Sequence, residues 1–209
     1  MKVLVLGATG GTGRLIVRDA LAKGHSVVAL VRSKASAPDL RGANVVEGDA
    51  RDEAALLRAL DGCDAVVSSL GTGMSLYGEV TLLSVATPAL VAAMTRSGVR
   101  RLVCISALGV GDSRGHGGFV FDNLFQPLLL RNAYKDKNRQ EDAIRASSLD
   151  WIVVRPGALN DEPARGNVRA FTDLAGFHGG KIARADVARF VVDQLTTDTW
   201  LRRTPLTVW

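Results

Sequence analysis

Val3-Leu4-Val5-Leu6 runs into Gly7-Ala8-Thr9-Gly10-Gly11-Thr12-Gly13, and the stretch from Arg14 to Lys23 follows with helical character. An apolar strand, a glycine turn and a helix start thus stand together at the head of the chain. The first amides of a helix have no partner within it, and its dipole is positive at that end. Such a unit makes a site for a dinucleotide pyrophosphate. The spacing is G-x-x-G-x-x-G rather than G-x-G-x-x-G. Gly7 permits the tight turn, Gly10 lets backbone approach the phosphates, and Gly13 lets the helix pack close to the strand. Thr9, Gly11 and Thr12 complete the candidate loop. A glycine turn without a ligand is the alternative, weakened by its place at the first strand-to-helix turn.

Outward from this unit, strand and helix alternate. Apolar runs read as strands at Val3–Leu6, Ser26–Val31, Asn44–Glu47, Ala65–Ser68, Arg101–Ile105 and Trp151–Val154. Helical periodicity lies between them: Leu15, Val17, Ala20 and Leu21 before Gly24, then Ala54, Leu57 and Leu60 before Gly62. Further helices are expected over Leu82 to Arg96, with a kink at Pro88, and from about Asn132 to Ser147. This order predicts an α/β fold, a three-layer, Rossmann-type doubly wound parallel sheet. One domain is expected over 1–209, with a small substrate-pocket portion at about 155–209.

The end of the second strand bears on the choice of dinucleotide. Val31-Arg32-Ser33-Lys34 carries no acidic residue, whereas an NAD site usually places one there for the ribose hydroxyls. A guanidinium suits a 2′-phosphate in charge and geometry. Arg32 and Ser33 are therefore expected to favour NADP(H), with NAD(H) possible; solvated loop cations are the alternative. Gly48-Asp49-Ala50 follows the third strand, where adenine is flanked, and Asp49 could accept from its exocyclic amine. Ser68-Ser69-Leu70-Gly71-Thr72-Gly73 ends the fourth strand. Leu70, Gly71 and Thr72 are placed to meet the second phosphate and the nicotinamide ribose.

Composition excludes other classes. The 209 residues are 47% hydrophobic and 22% charged, ordinary for a globular domain. The longest apolar candidate, Val80 to Met94, is interrupted by Ser84, Thr87 and Pro88, so no membrane association is expected. Met1-Lys2-Val3 enters a strand at once, which argues against a signal peptide and for a cytoplasmic protein. Cys63 and Cys104 form no metal-type cluster, and Cys104 reads as a buried inert thiol. The net charge of +5 has no basic tail behind it, and aromatic residues are only 5%. A solvated surface plus a pocket for an anionic cofactor accounts for it; no nucleic-acid partner is expected. His25, His116 and His178 read as surface residues without metal-ligand spacing. Two glycine-rich stretches, Gly109 to Gly118 and Gly176 to Gly180, lack the G-K-[ST] of a phosphate loop. The first follows the fifth strand and reads equally as a substrate lid or a surface loop.

These residues together resemble the atypical short-chain dehydrogenase/reductase group with a NAD(P)H-binding domain. The resemblance covers nearly the whole chain. It rests on Gly7-Ala8-Thr9-Gly10, Val31-Arg32, Gly48-Asp49, Leu70-Gly71-Thr72, Ile105-Ser106-Ala107, Ser148-Leu149-Asp150-Trp151, Arg155-Pro156-Gly157 and Arg184-Ala185-Asp186-Val187-Ala188. Within the group it is most similar to the biliverdin-IXβ/flavin reductase type, and more distantly to NmrA-like regulators. The resemblance implies a Rossmann fold, NADPH preference and a shallow pocket over the nicotinamide. Ser106 matches the serine at the end of the fifth strand, and Pro156, Gly157 and Ala158 border the nicotinamide.

Relatives of the classical type use a Tyr-x-x-x-Lys pair, in which the Lys holds the ribose and lowers the Tyr pKa. Counting back from Ser148-Leu149-Asp150 places the Lys on Lys137 and the Tyr on Ala133. Tyr134 is one residue away, which turns a helical side chain by about 100°, though Tyr134 and Lys137 are neighbours at a spacing of three. The histidine of the biliverdin-type pocket corresponds to Ala158. Ser106, Lys137 and Tyr134 are thus the candidate catalytic residues without a standard triad; a strand-end cap and an exposed helix cation are the plainer readings of Ser106 and Lys137. A flavin or quinone can take a hydride and collect its proton from solvent, whereas a ketone needs its alkoxide stabilised at once. The expected activity is an NADPH-dependent oxidoreductase acting on a small-molecule acceptor of flavin-like or quinone-like type. A non-catalytic NAD(P)H-binding redox sensor and a nucleotide-sugar epimerase or dehydratase are the alternatives; the short segment after Pro156 leaves the last little room for a substrate domain.

Overall fold

A computed structural model describes residues 1–37, 40–72 and 78–209. Strand and helix alternate as β1 (Lys2–Leu6), α1 (Gly11–Ala22), β2 (Ser26–Val31), β3 (Asn44–Glu47), α2 (Glu53–Ala59), β4 (Ala65–Ser68), α3 (Leu82–Ser97) and β5 (Arg101–Ile105). A π-helical turn over Phe121–Phe125 leads into α4 (Gln126–Leu129) and α5 (Arg131–Arg145). The chain ends with β6 (Asp150–Pro156), β7 (Ala158–Asn160), β8 (Arg169–Phe171), β9 (Lys181–Ala183), α6 (Arg184–Asp193) and β10 (Leu206–Val208). The main sheet has the order β3-β2-β1-β4-β5-β6-β10-β8. Its pairs are parallel except β10 with β8, and β7 pairs with β9 in a separate parallel ribbon. This is the doubly wound Rossmann-type sheet expected from the alternation.

The period of two along β1 divides the core. Val3 and Val5 pack on the α1 and α6 side, with Ile16, Val17, Val187 and Val191. Leu4 and Leu6 pack on the opposite side, with Leu56, Leu90, Met94 and Ile144 from α2, α3 and α5. Both faces of the strand are therefore buried, as a parallel sheet between helical layers requires. Each such side chain contributes about 1.5–3 kcal/mol by leaving water.

Polar contacts then fix the helices. Asp52 caps α2 by accepting from the Ala54 amide at 2.9 Å. α3 has no side-chain cap of its own. Its cap comes from α5: buried Asp136 accepts from the amides of Leu83 at 2.8 Å and Ser84 at 2.9 Å. α3 runs on through Pro88 to Ser97. Near the C-terminus, Asp186 accepts from the amides of Arg165 and Gly166 and from Trp209 Nε1 at 2.8–3.0 Å. No helix of the described residues is long and apolar enough to cross a membrane.

Candidate functional site

A cleft of about 1050 Å³ opens along the carboxyl ends of the strands. The turns after β1, β2, β3, β4, β5 and β6 all border it. In this sheet order β1 lies between β2 and β4, so the chain reverses its winding there, where open α/β sheets take their ligands.

The glycine turn is held by backbone contacts. Gly7 has φ +75°, and a Cβ on it would lie 2.5 Å from the Ser69 carbonyl oxygen. A Cβ on Gly13 would overlap the Gly7 carbonyl oxygen, so α1 can sit this close to β1 only with glycine there. Gly10 differs: its Cβ would meet only Gly7 O, at 3.3 Å. α1 begins at Gly11 with no side-chain cap and no acidic residue in its first turn. Among the described residues, no group accepts from the amides of Gly11, Thr12 or Gly13. The turn thus offers open donors to an anion.

Arg32 and Arg51 border the cleft beyond β2 and β3. Arg51 donates to both carboxylate oxygens of Asp49, at 2.5–3.1 Å, and its amide donates at 2.8 Å. Those hydrogen bonds hold the Asp49 carboxyl down to about 2. Asp49 borders the cleft as expected and also anchors Arg51. Ser33, next to Arg32, is exposed and outside the cleft lining. Ala50, Leu70, Gly71 and Thr72 do border it. Gly73 lies outside the described residues.

Deeper in the cleft, Ser106 is 3% exposed, and among the described residues its Oγ has no hydrogen-bond partner; the Thr72 Oγ1 is likewise buried and has none among them. Two hydroxyls with unused hydrogen-bonding capacity in one concave site fit a polar ligand such as a ribose or carboxamide. Lys137 projects into the same space, half-buried. Burial lowers its pKa, against the pull of Cys104, Glu141 and Asp136. Tyr134 and Lys137 both border the cleft, whereas Ala133 is buried and does not. The Tyr134 hydroxyl donates to the Leu108 carbonyl at 3.1 Å, and the ring meets Phe121 edge-on. Burial, with Asp122 nearby, pushes the Tyr134 phenol up to about 12. Pro156, Gly157 and Ala158 close the wall after β6.

The two glycine-rich stretches meet. The His116 and His178 rings stack at 5.7 Å, His116 Nδ1 lies 2.9 Å from the Phe177 carbonyl, and the Gly179 amide donates to the His116 carbonyl at 2.7 Å. His25 and His116 are half-buried and His178 is exposed. The first stretch is also tied down: Gly111 N–H donates to Asn138 Oδ1 at 2.9 Å, and Asp112 pairs with Arg155. Arg155 is fully buried and donates to both Glu141 oxygens, at 3.0 and 2.6 Å. Among the described residues no His/Cys/Asp/Glu cluster could hold a metal. Arg51, Phe121 and Arg184 also border the cleft; of these the sequence offered only Arg184, within the Arg184-Ala185-Asp186-Val187-Ala188 stretch and with no site role attached. Arg51 was findable as the cation two residues after Asp49. Phe121 and Arg184 reach the site only through the fold.

Comparison with known proteins places this geometry. Residues 7–198 match the NAD(P)H-binding family. A Bacillus subtilis protein named as the uncharacterized sugar epimerase YhfK is 33% identical over 93% of this chain and 88% of its own length. The solved structure of ChuY, an anaerobillin reductase from Escherichia coli O157:H7, superposes with a TM-score of 0.85 at 24% identity, over 100% of this chain and 97% of that one. A short-chain dehydrogenase/reductase from Veillonella parvula in complex with NADP gives a TM-score of 0.82 at 17% identity, over 100% and 94%. At those identities the two structures speak for the fold, while the family match and the Bacillus relative speak for descent. The chain belongs to the NAD(P)H-binding family, on a Rossmann-type fold.

Proposed function

We propose that the protein is an NADPH-dependent reductase that transfers hydride to a flavin-like or quinone-like acceptor. The observation that carries the reading is Tyr134. Its proton is committed to the Leu108 carbonyl, and its phenol is pushed up to about 12. A general acid wants a pKa near the working pH and a free path to the reacting atom. An acceptor that takes its proton from water needs neither. Family membership supplies the nicotinamide dinucleotide, whose reduced ring donates the hydride. The Gly11, Thr12 and Gly13 amides would bind its phosphates, Lys137 and Thr72 its ribose, and Ser106 would orient the reacting end. Arg32, with Arg51 beside it on the cleft, favours a 2′-phosphate. Gly157, Ala158, Leu159 and Gly180, from the segment after residue 155, would form the acceptor wall.

The test is steady oxidation of NADPH by the purified protein with a panel of flavins, quinones and ketones. Flavins or quinones should turn over and simple ketones should not. Turnover of ketones alone would overturn the assignment. Binding without turnover of any acceptor would leave a redox sensor. The name of the Bacillus relative favours a sugar epimerase as the second reading; interconversion of sugar epimers with no net NADPH oxidation would establish it.

A further inference from the structure

Arg184 is the first residue of α6, half-buried, and borders the cleft. Its Cδ and Nε occupy the space beside Gly11: a Cβ built on Gly11 would lie 3.2 Å from each. The guanidinium stem therefore packs on the glycine turn itself. Arg32 and Arg51 stand elsewhere, beyond β2 and β3.

The placement is electrostatically poor for the protein alone. A cation at a helix N-terminus opposes the dipole of that helix. Arg184 sits at the start of α6 and against the start of α1, so it faces two positive ends. The acidic residue in the first turn of α6, Asp186, is engaged with Arg165, Gly166 and Trp209. Among the described residues the counter-charge left to Arg184 is Asp161, 3.2 Å from its Nη1, with a side chain 87% exposed. Exposed pairs of this kind contribute little and exchange readily. A residue that violates a local rule with so weak a compensation is expected to serve a ligand. A phosphate anion over the glycine turn would satisfy the guanidinium and both helix ends together.

We propose that Arg184 is a pyrophosphate clamp: its guanidinium leaves Asp161 and closes over the diphosphate held at Gly11. The proposal rests on the dinucleotide reading of the cleft. It distinguishes two cations by what they sense. Arg32 discriminates NADPH from NADH through the 2′-phosphate. Arg184 grips the diphosphate that both cofactors share.

Calorimetric titration of NADPH and NADH into wild type, Arg184→Gln, Arg184→Lys and Asp161→Asn tests it. Arg184→Gln should weaken both cofactors by the same factor, about ten- to a hundredfold, with the melting temperature of the free protein unchanged or raised. Arg184→Lys should recover part of the loss. Asp161→Asn removes the competitor, and affinity should stay equal or rise by up to about fivefold. Wild-type affinity for both cofactors in Arg184→Gln overturns the clamp. So does a rise confined to the KM of the acceptor, which would move Arg184 to the acceptor side. A loss in Asp161→Asn equal to that in Arg184→Gln overturns the exchange. If wild type binds neither cofactor, the dinucleotide reading fails first, and the clamp with it.

Discussion

On the Gly7–Gly13 side the cleft is walled by backbone, whereas on the Tyr134–Gly180 side it is walled by side chains held from a distance. The first wall needs a glycine with positive φ, a helix end without a cap and a close strand-to-helix approach. Its glycines and open amides all lie within Gly7–Gly13, with Ser69 packed against them from the turn after β4. The second wall needs Arg155 from β6, Glu141 and Asn138 from α5, Asp112 from the loop after β5, and His178 from the loop before β9. The difference teaches that the proposed cofactor end is a local structure, while the proposed acceptor end is a tertiary one. A small glycine change should disable the first without unfolding it. The second should fail through stability.

Gly10→Val makes the largest break on the first wall. Its Cβ would meet only the Gly7 carbonyl, so the fold should tolerate it, yet its branches would fill the approach to the turn. Calorimetry should find no NADPH binding, with a native thermal melt; unchanged affinity would place the cofactor elsewhere. On the second wall the counterpart is Arg155→Met. It strips the buried Glu141 carboxylate of its bidentate partner and leaves it the longer contact from Arg145 at 3.3 Å, and breaking such a pair costs about 3–5 kcal/mol. Denaturant unfolding should show that loss. A change under about 1 kcal/mol would mean the buried pair is not what holds α5 and the loop together.

Arg32→Ala sharpens the comparison by touching the cofactor wall without its backbone. Losing a charge-assisted contact costs about 1.5–3 kcal/mol. NADPH affinity should fall about ten- to a hundredfold, with NADH little affected; equal wild-type affinities for the two would sink the preference. Tyr134→Phe should be the mildest. Single-turnover hydride transfer to a flavin or quinone should slow less than about tenfold, where general acid catalysis contributes about 10²–10⁴-fold. With the phenol at about 12, it stays protonated through the neutral and mildly alkaline range. The wild-type rate should therefore show no tyrosine limb between about pH 7 and 10. A limb there, or a hundredfold loss in the variant, would return Tyr134 to acid–base duty.

The sequence by itself determined the six parallel strands from β1 to β6, the helices between them, and the glycine turn that opens one end of the cleft. Those features depend on short-range rules: apolar runs, helix stops, and glycines where backbone must turn or approach. The short strands β7 to β10 carry too few residues for a period to show. Only the tertiary structure decided that Asp136 caps α3 across 53 positions of chain, that Asp49 is held by Arg51, and that the two glycine-rich stretches meet at His116 and His178. It alone brought Arg184 onto Gly11. Such contacts join residues far apart in sequence, and a side chain's partner there depends on which elements the packed core sets side by side.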